Sequence, residues 1–214
     1  MKRRAAYVIA ATLFAFGIVH AQATKNPGNT AKPLARGKIR FTPIELFPGD
    51  LKRLQTHLEM EGACFKFEYD GPKKSVHFVL QILEKGKRDV SPTLFLKLLE
   101  GRSSGEVSVS IRKVDDARGQ SAWHMIAHVV QNEENGFSSS TQTITKTLPA
   151  KANGSGGQSI GEVTDSDVND EVALWCKVRS GRPIQMSIPM DEMANDSDFA
   201  VVLKLVPGGP DDVD

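Results

Sequence analysis

Apolar and polar residues alternate along most of the chain after residue 38, which is the pattern of β-strands with one buried face. Phe65, Phe67 and Tyr69 share one face of such a segment, whereas Lys66 and Glu68 occupy the other. Similar β-prone segments follow at 76–82, 94–98, 107–111, 123–129, 141–148, 172–178, 184–188 and 199–205. Turn-forming residues separate them, so the pattern predicts an all-β fold, an antiparallel β-sandwich of about nine or ten strands with jelly-roll or immunoglobulin-like topology.

Three segments carry more local information. The turn composition of residues 70–74 (DGPKK) predicts a hairpin between 65–69 and 76–82. Leu94, Leu96 and Leu98 alternate, but Phe95 and Leu99 make this run apolar on both faces, which is compatible with a strand or with a short buried helix. Residues 153–161 (NGSGGQSIG) are rich in glycine and serine, and they predict a long surface loop.

One segment departs from the two-residue period. Leu51, Leu54 and Leu58 recur at helical spacing, Asp50 can cap the first turn, and Gly62 can end the helix. The sequence therefore predicts one short helix near the N-terminus of an otherwise β-stranded domain.

The first 23 residues have the composition of a secretory signal peptide. Lys2, Arg3 and Arg4 precede an uncharged apolar run over 5–19, and the small-x-small sequence of 21–23 (AQA) suits signal peptidase. The run is shorter than the roughly 20 residues that a spanning helix needs, so we expect no membrane span after cleavage. An uncleaved N-terminal anchor is the alternative. The predicted location is the periplasm or the extracellular space.

The remaining chain divides by composition. Residues 24–37 are rich in Pro, Gly, Asn and Lys and predict a flexible linker, 38–207 form the β-sandwich domain, and 208–214 form an acidic tail. The chain has 27 basic and 26 acidic residues, and the predicted signal peptide takes away three basic ones and no acidic ones. A product without a basic excess is not expected to bind nucleic acid.

Cys64 and Cys176 are the two cysteines of the chain. An even number of cysteines in an exported protein favours a disulfide bond, so this pair is a disulfide candidate. Two separately buried thiols are the alternative, because sequence separation does not reveal whether the sulfur atoms meet.

Two motifs bear on catalysis and metal binding. Residues 157–161 match G-x-S-x-G around Ser159, but no histidine occurs after His128, and the hydrolase order requires one downstream of the serine. His124 and His128 would lie about 13 Å apart along a strand, too far to bind one metal ion together. The sequence therefore identifies no catalytic residue and no cofactor-binding residue.

Two acidic segments contain candidate ligands for a calcium ion. Asp165, Asp167 and Asn169 have the D-x-D-x-N spacing that begins a calcium-binding loop, and Asp196 and Asp198 form a second acidic segment that could join them. The complete EF-hand pattern fails, since it needs glycine where Asp170 stands. Calcium is therefore the one cofactor candidate, and these five residues are its candidate ligands.

These observations predict an exported, soluble and non-catalytic β-sandwich that acts as a binding or scaffolding module. Its partner is an unidentified protein or carbohydrate, bound by loops at one end of the sandwich or by an exposed sheet edge. The alternatives are a secreted hydrolase with an unrecognised site and a calcium-stabilised structural protein.

Overall fold

A computed structural model describes residues 33–89, 93–98, 100–115, 118–133, 136–149 and 154–208. The predicted signal peptide, residues 24–32 of the predicted linker and residues 209–214 of the predicted acidic tail lie outside the described residues. Within the described ranges, no helix is long and apolar enough to cross a bilayer.

The described residues form twelve strands and a few short helical turns. The strands are β1 (Lys38–Ile44), β2 (Met60–Gly71), β3 (Lys74–Glu84), β4 (Lys87–Arg88), β5 (Thr93–Leu98), β6 (Gly101–Asp115), β7 (Ser121–Glu133), β8 (Gly136–Thr147), β9 (Gly154–Ser159), β10 (Thr164–Asp167), β11 (Val172–Ser180) and β12 (Phe199–Pro207). A single 3-10 turn (Gly49–Leu51) leads into helix α1 (Lys52–His57), and helix α2 (Met190–Asn195) lies between β11 and β12.

The strands pair into two antiparallel sheets. Sheet I has the order β10-β1-β2-β6-β7-β8. Sheet II has the order β4-β3-β12-β11-β9, and β5 also pairs with β3. The all-β class and the two antiparallel sheets predicted from the alternation are therefore confirmed.

Alternating side chains from both sheets contribute to one buried core. Phe78 of sheet II lies at its centre, with ring centroids 6.3 Å from Phe41 and 5.8 Å from Phe67 of sheet I. Farther along, Trp123 of sheet I meets Phe199 of sheet II edge-on at 5.4 Å. All five rings are buried, so aromatic contacts between the sheets are part of the core.

The predicted hairpin between 65–69 and 76–82 is wrong. Strand β2 pairs with β1 and β6 in sheet I, whereas β3 pairs with β12, β4 and β5 in sheet II. The turn at Pro72 carries the chain from one sheet to the other, and the Tyr69 hydroxyl donates a hydrogen bond of 2.6 Å to the Pro72 carbonyl. Both strands alternate because both supply a face to the same core, which does not require that they be neighbours.

The predicted number of strands is also too low. Strand β1, the two-residue β4, and the short strands β9 and β10 were not predicted. Residues 154–159, which were predicted to lie in a loop, form β9, where Gly156 packs closely against Ile184 and Met186. Residues 184–188, which were predicted to form a strand, are a loop whose two isoleucines pack beside α2. Residues 94–98 are a strand, as one of the two alternatives predicted.

The predicted helix forms, but it differs in detail. It lies between β1 and β2 rather than near the N-terminus, and Asp50 is within the first turn, which Pro48 precedes. Leu51, Leu54 and Leu58 are about half exposed, so their helical spacing does not mark a core-facing side.

Helix α2 was not predicted from the sequence. Pro189 directly precedes it, and its residues Met193 and Ala194 are buried against the outer face of sheet II. This cover explains why adjacent residues of β12, such as Val201 and Val202, are both buried.

Removing the central ring should destabilise the whole fold. We expect Phe78→Ala to lower the free energy of unfolding by about 3–5 kcal/mol, because the vacated space cannot close without moving strands of both sheets. Urea denaturation measures the change. The control Val163→Ala, at a position that is 58% exposed, should change it by less than about 0.5 kcal/mol. An equally small effect of the Phe78 substitution would contradict a core shared by the two sheets.

Candidate functional site

The candidate calcium ligands of the first acidic segment lie at an edge of sheet I, where basic side chains neutralise them. Asp165 on β10 accepts two hydrogen bonds from the Arg40 guanidinium of β1, at 2.6 and 2.7 Å. Asp167 lies 3.4 Å from Lys38. The third candidate, Asn169, accepts a hydrogen bond of 2.7 Å from Lys74. Ion pairs and hydrogen bonds thus engage oxygen atoms that a calcium ion would need.

The pKa shifts of Arg40 and Asp167 agree with this arrangement. The hydrogen bond to Asp165 raises the pKa of Arg40. Hydrogen bonds donated by the backbone and side chain of Asn169 lower the pKa of the Asp167 carboxyl group. Both shifts favour the charged forms that the ion pairs between β10 and β1 require.

The second acidic segment has a different local role. Asp196 ends helix α2, and Asp198 accepts a hydrogen bond of 2.7 Å from the Gly181 backbone N–H. Across the described residues, no group of three His, Cys, Asp or Glu side chains is close enough to hold a metal ion. The structure therefore does not gather the predicted ligands into one cage.

Of the two alternatives for the cysteines, the structure has the separately buried thiols, because Cys64 and Cys176 are free and buried. Cys64 alternates with the core residue Phe65 on β2, so its side chain is on the outer face of sheet I, beside a cavity under α1. Cys176 lies on the outer face of sheet II and packs with Met193 of α2. Burial raises the pKa of the Cys64 thiol to about 11 and that of Cys176 to about 12. Both thiols are thus poor nucleophiles at neutral pH.

The residues considered for catalysis do not converge. Ser159 lies on β9, and its hydroxyl bonds to the adjacent Ile160 carbonyl. His124 and His128 on β7 each place Nδ1 within hydrogen-bond distance of a threonine hydroxyl on β8, at 2.9 and 2.6 Å. Two cavities of about 240 and 340 Å³ lie near α1 and α2, and the residues lining each include one carboxylate and no histidine. Neither cavity brings together an acid–base pair.

Strand β8 is the most distinctive surface feature of the described chain. It is twelve residues long and forms an edge of sheet I, with β7 on one side and no strand of the described residues on the other. Nine of its residues are exposed, and Phe137 is 63% exposed. Lys146 is its one charged residue.

The hydrogen-bonding pattern shows which backbone groups of β8 face outward. Leu148, just past β8, donates its N–H to the Ser121 carbonyl of β7 at 2.8 Å. In an antiparallel ladder, alternate residues bond to the neighbouring strand, so Lys146, Ile144 and Gln142 face β7 in the same way. The N–H and C=O groups of the intervening residues point away from β7. Between residues 137 and 145, these outward residues are Phe137, Ser139, Thr141, Thr143 and Thr145.

The other sheet edges are better protected against further pairing. Strand β10 has four residues, two of which are aspartates, and β4 has two residues. Strand β9 contains three glycines in six residues, and the loop around Met186 packs against it. Short length, charge and cover are recognised ways to prevent edge pairing. Strand β8 is long, no other strand of the described residues pairs with its free edge, and its one charged side chain, Lys146, is held in an ion pair with Asp89.

Strand β8 was visible in the sequence as a β-prone segment, but its position in the sheet was not. Thr141, Thr143, Thr145 and Thr147 occur at every second position, which indicates a strand with one polar face. Whether such a strand is central or at an edge depends on the order of strands, which alternation does not encode. Trp123 and Trp175 are both buried in the core, so neither offers an exposed aromatic surface to a ligand.

No family model, curated protein or solved structure matches this chain.

The state of the cysteines can be checked directly. We expect two free thiols per chain after denaturation without reductant, and slow labelling of both in the native protein, because they are buried and their pKa values are raised. Alkylation followed by intact mass spectrometry measures both. A mass lower by two hydrogens, with no thiol labelled after denaturation, would establish an intramolecular bond and contradict the structure.

Proposed function

We propose that this protein is an exported, soluble, non-catalytic β-sandwich that binds an extended polypeptide segment along the free edge of β8. The observation that carries the proposal is the length and lack of protection of that edge. An added strand gains affinity from main-chain hydrogen bonds, and the outward groups of Phe137 to Thr145 are arranged to make them.

Two further observations support the proposal. The contacts of Phe78 with Phe41 and Phe67 favour sheets stacked face to face, as in a sandwich, and such a scaffold holds its edge strands rigidly. The signal-like composition of residues 1–23 favours export.

A hydrolase is less well supported than a binding module. The two cavities lack a converging acid–base pair, and the Ser159 hydroxyl bonds to its neighbouring carbonyl rather than to a histidine. A calcium-stabilised structural protein is also less well supported, since Asp165 and Asp167 are paired with Arg40 and Lys38.

A labelled synthetic peptide tests the proposed edge. The probe alternates threonine and valine over about ten residues, with a lysine at each end for solubility. We expect saturable binding to the purified protein by fluorescence anisotropy. Thr143→Pro should abolish this binding, because proline removes an outward N–H that makes no bond to β7.

The matched control is Thr143→Val, which keeps both the backbone N–H and a β-branched side chain and should bind the probe normally. Circular dichroism and thermal melts of both variants establish that the fold is retained. Absence of binding to the unaltered protein, or equal binding by the proline variant, would contradict a strand-accepting edge at β8.

A further inference from the structure

We propose that the extended segment is β8 of a second copy, so that two chains pair antiparallel and edge to edge about a twofold axis. This inference rests on the proposed function of β8 as a strand-accepting edge, and it names the partner. The two six-stranded sheets I would then join into one continuous sheet.

The outward residues of β8 are compatible with pairing to themselves. If the axis passes beside Thr141, this residue faces the partner's Thr141, and Ser139 faces the partner's Thr143. All five outward residues are uncharged, so no like charges face each other along this ladder. A twofold interface requires such self-complementarity, because each surface meets an identical one.

The one charge on β8 is directed away from the ladder. Lys146 alternates with the outward threonines and forms an ion pair with Asp89, which directly follows β4 of sheet II. A charged residue on the inner face of an edge strand is a recognised device against self-pairing. Here Asp89 neutralises Lys146 through the ion pair, so the lysine does not oppose a second copy.

Phe137 would supply apolar contact at both ends of the paired strands. With the axis beside Thr141, its ring lies opposite the partner's Thr145. Aromatic residues and β-branched residues are favourable cross-strand partners. Phe137 is also the most exposed of the large hydrophobic residues in the described chain, at 63%, and pairing would cover part of this surface.

The other described edges fit a second copy less well. Strand β10 has only four residues, and its self-pairing would bring Asp165 and Asp167 of two copies close together. Strand β9 is half as long as β8 and has three glycines, which provide no cross-strand side-chain contact. A second copy is therefore expected at β8.

The size of the contact predicts weak, concentration-dependent association. The five outward residues of each chain can exchange about ten backbone hydrogen bonds over roughly 30 Å. Such an interface is small compared with that of an obligate dimer, so we expect a dissociation constant in roughly the micromolar range.

Charge reversal at the centre of β8 tests this pairing. T141K/T143K and T141E/T143E each place like charges opposite one another, whether the axis lies beside Thr141 or one residue further. Analytical ultracentrifugation should show a dissociation constant raised at least about tenfold for each variant alone. An equimolar mixture of the two should dimerise at least as well as the unaltered protein, because opposite charges then meet.

The control is E162Q/V163K, which makes the same change of two units in net charge as T141K/T143K, in an exposed loop away from β8, and should dimerise normally. Circular dichroism checks folding, and the mixture provides a second check, since misfolded chains would not be rescued by their counterparts.

The outcomes separate this inference from the proposed function. A protein that stays monomeric at high concentration but binds the threonine–valine probe would overturn self-pairing and keep the strand-accepting edge. Dimers that withstand both charge variants, or variants that fail to pair on mixing, would also overturn it. Failure of the probe to bind dilute monomer would instead contradict the proposed function.

Discussion

The fold depends on one buried core to which side chains of both antiparallel sheets contribute. Phe78 touches Phe41 and Phe67 across the core, and this contact fixes which residues of each strand face inward. Once the inner face of β7 is set by Trp123 and its alternates, pairing with β8 determines which backbone groups of β8 point outward. The surface property that we connect with function is thus a geometrical consequence of core packing.

Open sheets have edge strands, and the edge strands of this protein differ in how well they are protected against further pairing. Strand β10 is short, acidic and paired to β1, whereas β9 is rich in glycine and covered by the loop around Met186. Strand β8 is long, uncharged on its outward side and exposed. Because an unprotected edge risks aggregation, its presence beside protected ones favours a binding role over an incidental one.

The local sequence pattern predicted most strands of this fold, but it did not predict which strands pair with one another. The two-residue period identified 65–69 and 76–82 as strands. The same period is expected for two paired strands of a hairpin and for two strands of different sheets that contribute to one core. Strand β9 escaped detection because its glycines have no side chains to alternate. The D-x-D-x-N spacing is typical of a calcium-binding loop, but Arg40, which is distant in sequence, neutralises Asp165. Strand order and long-range ion pairs arise from tertiary packing, which explains why the β8 edge could not be located from sequence.

Residue-resolved hydrogen exchange of β8 tests the central claim most directly. Labelling should be performed on protein diluted well below micromolar concentration, so that pairing between copies does not protect amides. The structure predicts fast exchange at Ser139, Thr141 and Thr143, whose N–H groups point outward, and slow exchange at Gln142 and Ile144, which bond to β7. Uniform protection along β8, or protection with the opposite alternation, would contradict a free and correctly registered edge.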